Sequence, residues 1–267
     1  MTPAARRLAL AVTTGLAATV AVGGLAPATA LAGTPATPDF GPNVTVFDPS
    51  TPVADINAQL RSISAEDQFG AGRHLVLFKP GTYGSSAGAA DPATATGTVS
   101  APVGYYTAIA GLGASPQDVV INGALHVDGK AGRFGPHGPL SALDNFWRSL
   151  GNLTVNPIQA GEAAHTMSWA VSQAAPLRRV GITGNLDLAG PGGSLAFGSE
   201  IADSRVTGTV ISGNGVAGKP SQAQYYTRDS SIGSWSGTGV DLVFSGVRGA
   251  LSTRFDPDPR HRCPRGR

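Results

Sequence analysis

Arg148-Ser-Leu-Gly-Asn-Leu-Thr-Val155, Pro176-Leu-Arg-Arg-Val-Gly-Ile182, Ala202-Asp-Ser-Arg-Val-Thr-Gly208, Arg228-Asp-Ser-Ser-Ile-Gly-Ser234 and Val243-Phe-Ser-Gly-Val-Arg-Gly249 are five versions of one pattern. In each, a polar run leads into a Leu or β-branched position and then a turn. Leu153, Val180, Val206 and Ile232 recur at a nearly constant interval in the upper twenties, and Leu125 and Val127 precede Leu153 by a similar interval. A period in the twenties, with short strands and no helical pattern between them, predicts the stacked coils of a solenoid, because the inward apolar residues of one coil are buried only when the next covers them. Leucine-rich repeats share the period, but their Leu-x-x-Leu-x-Leu grammar is absent; an irregular β-sandwich is the competing arrangement. The expected fold is all-β, a right-handed parallel β-helix with an N-terminal capping α-helix. The last interval, Ile232 to Val247, is much shorter than the others, so the repeat is expected to break or change face there.

Composition agrees. Thirty-seven glycines and a low charged fraction of 13% favour short strands and tight turns. Helical periodicity occurs once, at Val53, Ile56, Leu60 and Ile63, with Thr51 placed as N-cap and Pro52 at the first helical position. One amphipathic helix of about 15 residues is expected there. Residues 1–32 read as an export signal: Arg6 and Arg7, an apolar run from Leu8 to Leu25, and small-x-small cleavage sites at Ala28-Thr-Ala30 or Ala30-Leu-Ala32. The mature chain is therefore expected outside the cell, soluble and monomeric. Residues 33–47 form a linker and first strand, 48–250 the β-helix domain, and 251–267 a disordered Arg/Pro-rich tail. The single cysteine, Cys263, allows no intrachain disulfide. The formal charge of +2 hides an uneven distribution. Arg6 and Arg7 carry +2 and residues 251–267 carry five Arg against two Asp, leaving residues 33–250 at −3. A mildly acidic body has no electrostatic footprint for nucleic acid.

His74-Leu-Val-Leu-Phe-Lys-Pro-Gly-Thr-Tyr83, Gly104-Tyr-Tyr-Thr-Ala-Ile-Ala-Gly-Leu-Gly113 and Asp118-Val-Val-Ile-Asn-Gly123 resemble the opening rungs of pectate-lyase-like β-helix proteins, where a strand ends in Pro-Gly-Thr-Tyr and a Gly-x-Gly corner follows. With Val46-Phe-Asp-Pro-Ser50, Asn145-Phe-Trp-Arg148, Trp169-Ala-Val-Ser-Gln-Ala-Ala-Pro176 and Tyr226-Thr-Arg-Asp-Ser230, the chain from about residue 40 to 250 resembles a group of secreted actinobacterial proteins. Members are often labelled carbohydrate-active proteins, coagulation-factor-5/8-type domain proteins or adenylyl cyclases. The resemblance implies a solenoid that binds or cleaves an extracellular polysaccharide, as a glycoside hydrolase or a lyase. The cyclase label finds no support, since the sequence has no metal-binding carboxylate pair on an α/β sheet.

A period also places side chains, because residues one coil apart stack at about 4.8 Å. Asp203 and Asp229, one period apart, are expected to form a column of two carboxylates, which would raise one pKa or recruit a cation, and which suits retaining glycoside hydrolysis. They are the candidate catalytic pair, with Ser204 and Ser230 as a polar ladder and Arg179 and Arg205 flanking. Trp147, Trp169, Tyr226 and Trp235, with Arg205 and Arg228, are the candidate substrate-binding residues, since exposed rings stack on sugars. Solvated turns for the carboxylates and core filling for the rings are the plain alternatives. The five histidines have no zinc spacing, and no nucleophile elbow, phosphate loop or dinucleotide fingerprint occurs, so no cofactor or metal is expected.

After Val247 the apolar pattern ends in Arg-Gly-Ala-Leu-Ser-Thr-Arg-Phe-Asp-Pro-Asp-Pro-Arg-His-Arg-Cys-Pro-Arg-Gly-Arg267. This is neither a coil nor a cap for a solenoid end. In the resembling group the coils continue, so a frameshift or early stop, with the final stretch out of frame, is the expected reading. A natural basic tail for acidic surface polymers is the alternative. A shortened solenoid would be inactive if the catalytic acids lay in later coils, leaving a non-catalytic surface or adhesion protein as the different-class reading.

Overall fold

A computed structural model describes residues 38–212, 221–237 and 239–250. The expected export signal, Cys263 and the 251–267 tail lie outside the described residues. The chain runs β1 (Val44–Phe47), α1 (Val53–Ser64), β2 (His74–Phe78), β3 (Gly81–Tyr83), β4 (Val99–Pro102) and β5 (Thr107–Gly111). A 3-10 turn at Pro116–Asp118 leads to β6 (Val119–His126), β7 (Leu140–Ser141), β8 (Arg148–Pro157), β9 (Thr166–Ser168), β10 (Leu177–Ile182) and β11 (Asn185–Asp187). The rest are β12 (Ser194–Leu195), β13 (Gly198–Ala202), β14 (Arg205–Ile211), β15 (Ser221–Arg228), β16 (Ser231–Ser236) and β17 (Gly239–Ser245).

The fold is the right-handed parallel β-helix that the repeat implies. Strands β1, β2, β5, β8, β10, β13, β15 and β17 stack in that order, and every pairing between named strands is parallel. Two apolar columns fill the interior. Val76, Ile109, Leu150, Leu177 and Ile201 form one; Ile121, Val155, Ile182, Val206 and Ile232 form the other; all are 5% exposed or less. Each buried aliphatic contributes roughly 1.5–3 kcal/mol relative to exposure.

The register corrects the sequence alignment. Val206 stacks on Ile182, not on Val180, whose neighbour is Ser204: the Val180 N–H donates to Ser204 Oγ at 3.0 Å. That coil is two positions shorter than the spacing of Val180 and Val206 implies. A slip of two leaves inward and outward positions unchanged, so alternation cannot reveal it. Leu125 pairs with Ala101, not with Leu153, because the coil before β8 carries the 128–147 excursion. The period breaks at the final coil, as the short interval predicts, while the coil keeps its face. It shortens and stays paired, Tyr225 to Leu242 and Ser231 to Arg248.

Helix α1 is 12 residues long and begins one position later than expected, with Pro52 as N-cap. Thr51 does not cap it; its hydroxyl accepts instead from the Asp48 N–H at 3.2 Å. Ile56, Leu60 and Ile63 close the core, while Asn57 binds the edge of β4 through Thr98 O at 3.0 Å and the Ser100 N–H at 2.8 Å.

Candidate functional site

Four corner residues share a left-handed backbone, Asn152, Arg179, Asp203 and Asp229, with φ between 46° and 55°. Each bends its chain from one face of the helix to the next, and asparagine and aspartate tolerate this conformation better than most residues. The flanking pairs Ala202 to Arg228 and Arg205 to Ser231 place Asp229 directly on Asp203, as the spacing predicted. Inside the corner, Ser204 and Ser230 are buried and form the expected ladder, the Ser204 N–H donating to Ser230 Oγ at 3.1 Å.

Arg228 stands between the two carboxylates and supplies positive charge to the column. Its Nη1 is 3.4 Å from Asp203 Oδ1 and 3.0 Å from Asp229 Oδ2, and Arg178 Nε is 3.1 Å from Asp203 Oδ2. The hydrogen bond that Arg228 donates to Asp229, then the charges of Asp203, Asp229 and Glu200, push its guanidinium up against desolvation. Arg179 and Arg205 do not stack on one another. Arg205 pairs with Gly181 and Ser231 and is exposed; Arg179 occupies the corner column and donates to Asn152 Oδ1 at 3.0 and 3.1 Å.

Beside this corner, across β13 and β15, opens a cleft of about 550 Å³. Pro176, Phe197 and Val243 supply apolar surface, and Glu200, Gln224 and Tyr226 supply polar groups. Glu200, Tyr226 and Val243 follow one another on successive coils, all exposed. Gly198 lets the strands close in here, since a Cβ would meet Ser172 O at 2.6 Å and Gln224 O at 2.9 Å. Glu200 Oε1 lies 3.9 Å from Arg228 Nε, so one guanidinium joins the cleft to the Asp203 and Asp229 column.

The predicted aromatic row divides. Tyr226 is 41% exposed and faces the cleft, and Trp147 is 39% exposed three coils before it, next to the Gln173 edge of the cleft and stacked on Tyr106 at 4.8 Å. Trp169 and Trp235 are core residues and cannot offer a ring face to a sugar. Trp169 is fully buried, and its indole N–H donates to Ala175 O at 2.9 Å, which ties down the cleft wall from within. Trp235 packs edge-on between Tyr225 and Phe244 and donates to Ser212 Oγ.

A second group escaped the sequence reading. Burial, then the charges of Asp187 and Asp128, push the Glu162 carboxyl up to about 7. Burial also raises Asp187. Asp128 falls below the usual range despite its burial, because His126, Ser168 and Gln159 all contact it. Glu162 belongs to no periodic position, so spacing gives no sign of it.

No family model matches the chain. Over 225 residues it is 44% identical to an exo-beta-1,3-glucanase of Streptomyces sp. (strain SirexAA-E / ActE), a match covering 83% of this chain and 31% of the relative. The solved structure of sacteLam55A from Streptomyces sp. SirexAA-E superposes with a TM-score of 0.64 at 44% identity, covering 82% of this chain and 34% of that one. The chain spans about a third of the length of these relatives. Neither bears a pectate lyase, coagulation-factor or cyclase name.

Proposed function

We propose that this chain is a secreted β-helix of the glycoside hydrolase kind acting on β-1,3-glucan, with the cleft around Tyr226 as its sugar-binding surface. The observation that carries the reading is the 44% identity, over 225 residues, to an exo-beta-1,3-glucanase. The cleft chemistry supports it. A pyranose has an apolar face for Tyr226, Pro176 and Val243, and a hydroxyl rim for Glu200 and Gln224. Trp147 extends that surface by one coil.

In this reading Asp203 and Asp229 act through Arg228. They hold its guanidinium beside Glu200 and so fix the polar edge of the cleft; Arg205 lies beyond this contact, on the neighbouring face. Cleavage of a glycosidic bond needs two carboxyl groups flanking it, roughly 5–5.5 Å apart for retention or 6.5–9.5 Å for inversion. A carboxylate held by an arginine on each side is better suited to positioning than to proton transfer. This also favours the second reading, a solenoid that binds glucan without cutting it.

Affinity electrophoresis in laminarin, cellulose and pectin gels, with assay of released glucose, tests both readings. Retardation by laminarin alone is expected, weakened about tenfold in Tyr226→Ala, consistent with about 1.4 kcal/mol for one stacking contact. Asp203→Asn and Asp229→Asn are expected to weaken retardation several-fold. Glucose release abolished in either variant with retardation intact would make the pair catalytic. Retardation without release from the parent chain would leave only the binding reading, and equal retardation of parent and Tyr226→Ala would remove the cleft.

A further inference from the structure

On the side of the coils nearest the end of α1 lies a separate pocket of about 210 Å³, lined by Tyr105, Asp128, Lys130, Asn145 and Arg148. Arg148 is only 5% exposed. Its Nε donates to Phe146 O at 3.1 Å and its Nη1 to Val103 O at 2.6 Å, while Nη2 is buried with no partner. No carboxylate among the described residues forms an ion pair with it. Burial pulls this guanidinium down to about 10, which leaves it charged at neutral pH. A buried cation without a counter-charge is costly, and an unpaired buried donor adds to that cost.

The surroundings add positive charge. Arg148 lies 4.5 Å and Lys130 Nζ 4.9 Å from the Tyr105 ring centroid, and Lys130 Nζ also donates to the Tyr105 hydroxyl at 3.3 Å. The tyrosine, accepting from lysine, keeps its own proton for donation. Lys130 is exposed at the rim, and the bonds Lys130 N–H to Ser141 O and Ser141 N–H to Lys130 O fix its backbone. Asp128 is the one acid in the lining, and its oxygens are engaged. Gln159 and Ser168 donate to Oδ1, and His126 Nδ1 is 2.7 Å from Oδ2. Asn145 spends its Nδ2 on Asp128 O and Ala170 O. The lining therefore carries one uncompensated positive charge.

We infer that this pocket binds a small monocarboxylate of sugar-acid size, its carboxylate accepting from Lys130 Nζ and the Tyr105 hydroxyl over the buried Arg148 guanidinium, whose charge it offsets. One excess charge matches a monoanion; a phosphate dianion would leave negative charge beside Asp128. The inference is independent of glucan binding in the Tyr226 cleft.

Calorimetric titration of the whole chain with sodium D-glucuronate, D-glucose and sodium phosphate at constant ionic strength tests it. Saturable heat with glucuronate and none with glucose is expected. Lys130→Gln, at an exposed position that leaves the fold intact, is expected to weaken binding about tenfold, in line with the loss of one hydrogen bond to a charged group. Tyr105→Phe should weaken it by a smaller factor, and laminarin retardation should not change in Lys130→Gln. The inference is overturned by absence of saturable heat with glucuronate, by equal binding of glucose, by unchanged affinity in Lys130→Gln, or by phosphate binding more tightly than glucuronate.

Discussion

Glu162 holds a proton at pH values where a free glutamate has lost it, because burial and the neighbouring Asp187 and Asp128 disfavour its charge. Between its ordinary value of 4.5 and about 7, the folded chain binds a proton that the unfolded chain releases. The stabilisation is therefore complete below about pH 4.5 and is lost as pH rises through 7. Thermal melts should show a midpoint that falls from pH 5 to pH 8, and Glu162→Gln should flatten that fall; an unchanged slope in the variant would assign it to other groups. Trp169 shows a residue acting where it touches nothing external. Trp169→Phe keeps most of the buried ring but strips Ala175 O of its donor, so a loss of about 1–2 kcal/mol in denaturant unfolding is expected. Laminarin retardation should weaken with it, because Ala175 lies in the cleft wall. Of the expected site, the vertical stacking of Asp203 and Asp229 was legible, since it follows from spacing alone. The exposure of each tryptophan was not, because a ring beside a polar run points inward or outward according to the corner geometry, which the repeat does not encode.

At the level of the coil, the corner is held by hydrogen bonds that run along the solenoid. Ser204 Oγ accepts from the Val180 N–H and donates to Ala202 O, while Ser230 Oγ accepts from the Ser204 N–H and donates to Arg228 O. At the Arg179 and Asp203 corners the left-handed residue turns the next backbone N–H away from the ordinary ladder, and a serine on the following coil, Ser204 or Ser230, supplies the missing acceptor. Ser230→Ala should leave the Ser204 N–H buried and unpaired, costing about 1–3 kcal/mol. Ser204→Ala should cost a similar amount through Val180. The double variant is expected to lose less than the two losses combined, because the Ser204 N–H to Ser230 Oγ bond is part of one ladder; strict additivity in a denaturant double-mutant cycle would show that the rungs are independent. The same ladder explains the slipped register, since Ser204 takes the position over Val180 that an aliphatic residue would fill in a uniform repeat.

Across the whole molecule, the solenoid was legible because the coils between Leu150 and Thr227 vary little in length around one period. The first coils were recognisable only through the Pro-Gly-Thr-Tyr strand, because excursions lengthen the coil from Val76 to Ile109 and, still more, the coil from Ile109 to Leu150. Insertions leave the face of a coil without disturbing the strands that stack, which is why the pairing survives where periodicity fails. Each coil touches only its neighbours, so stability is close to a sum of coil and interface contributions. Amide hydrogen exchange should therefore be graded along the axis. Strands β8 and β10, covered on both sides and carrying Leu150, Leu153, Val180 and Ile182 at 2% exposure or less, should exchange slowest. Strand β17, paired among the described residues only to β15 and with Val243 54% exposed, should exchange first, and β1, paired among those residues only to β2, should follow because Phe47 is buried against Phe78 at a ring separation of 5.2 Å. Uniform protection from β1 to β17 would instead mean that the coils unfold as one unit, and that the apolar columns couple far beyond the nearest neighbour.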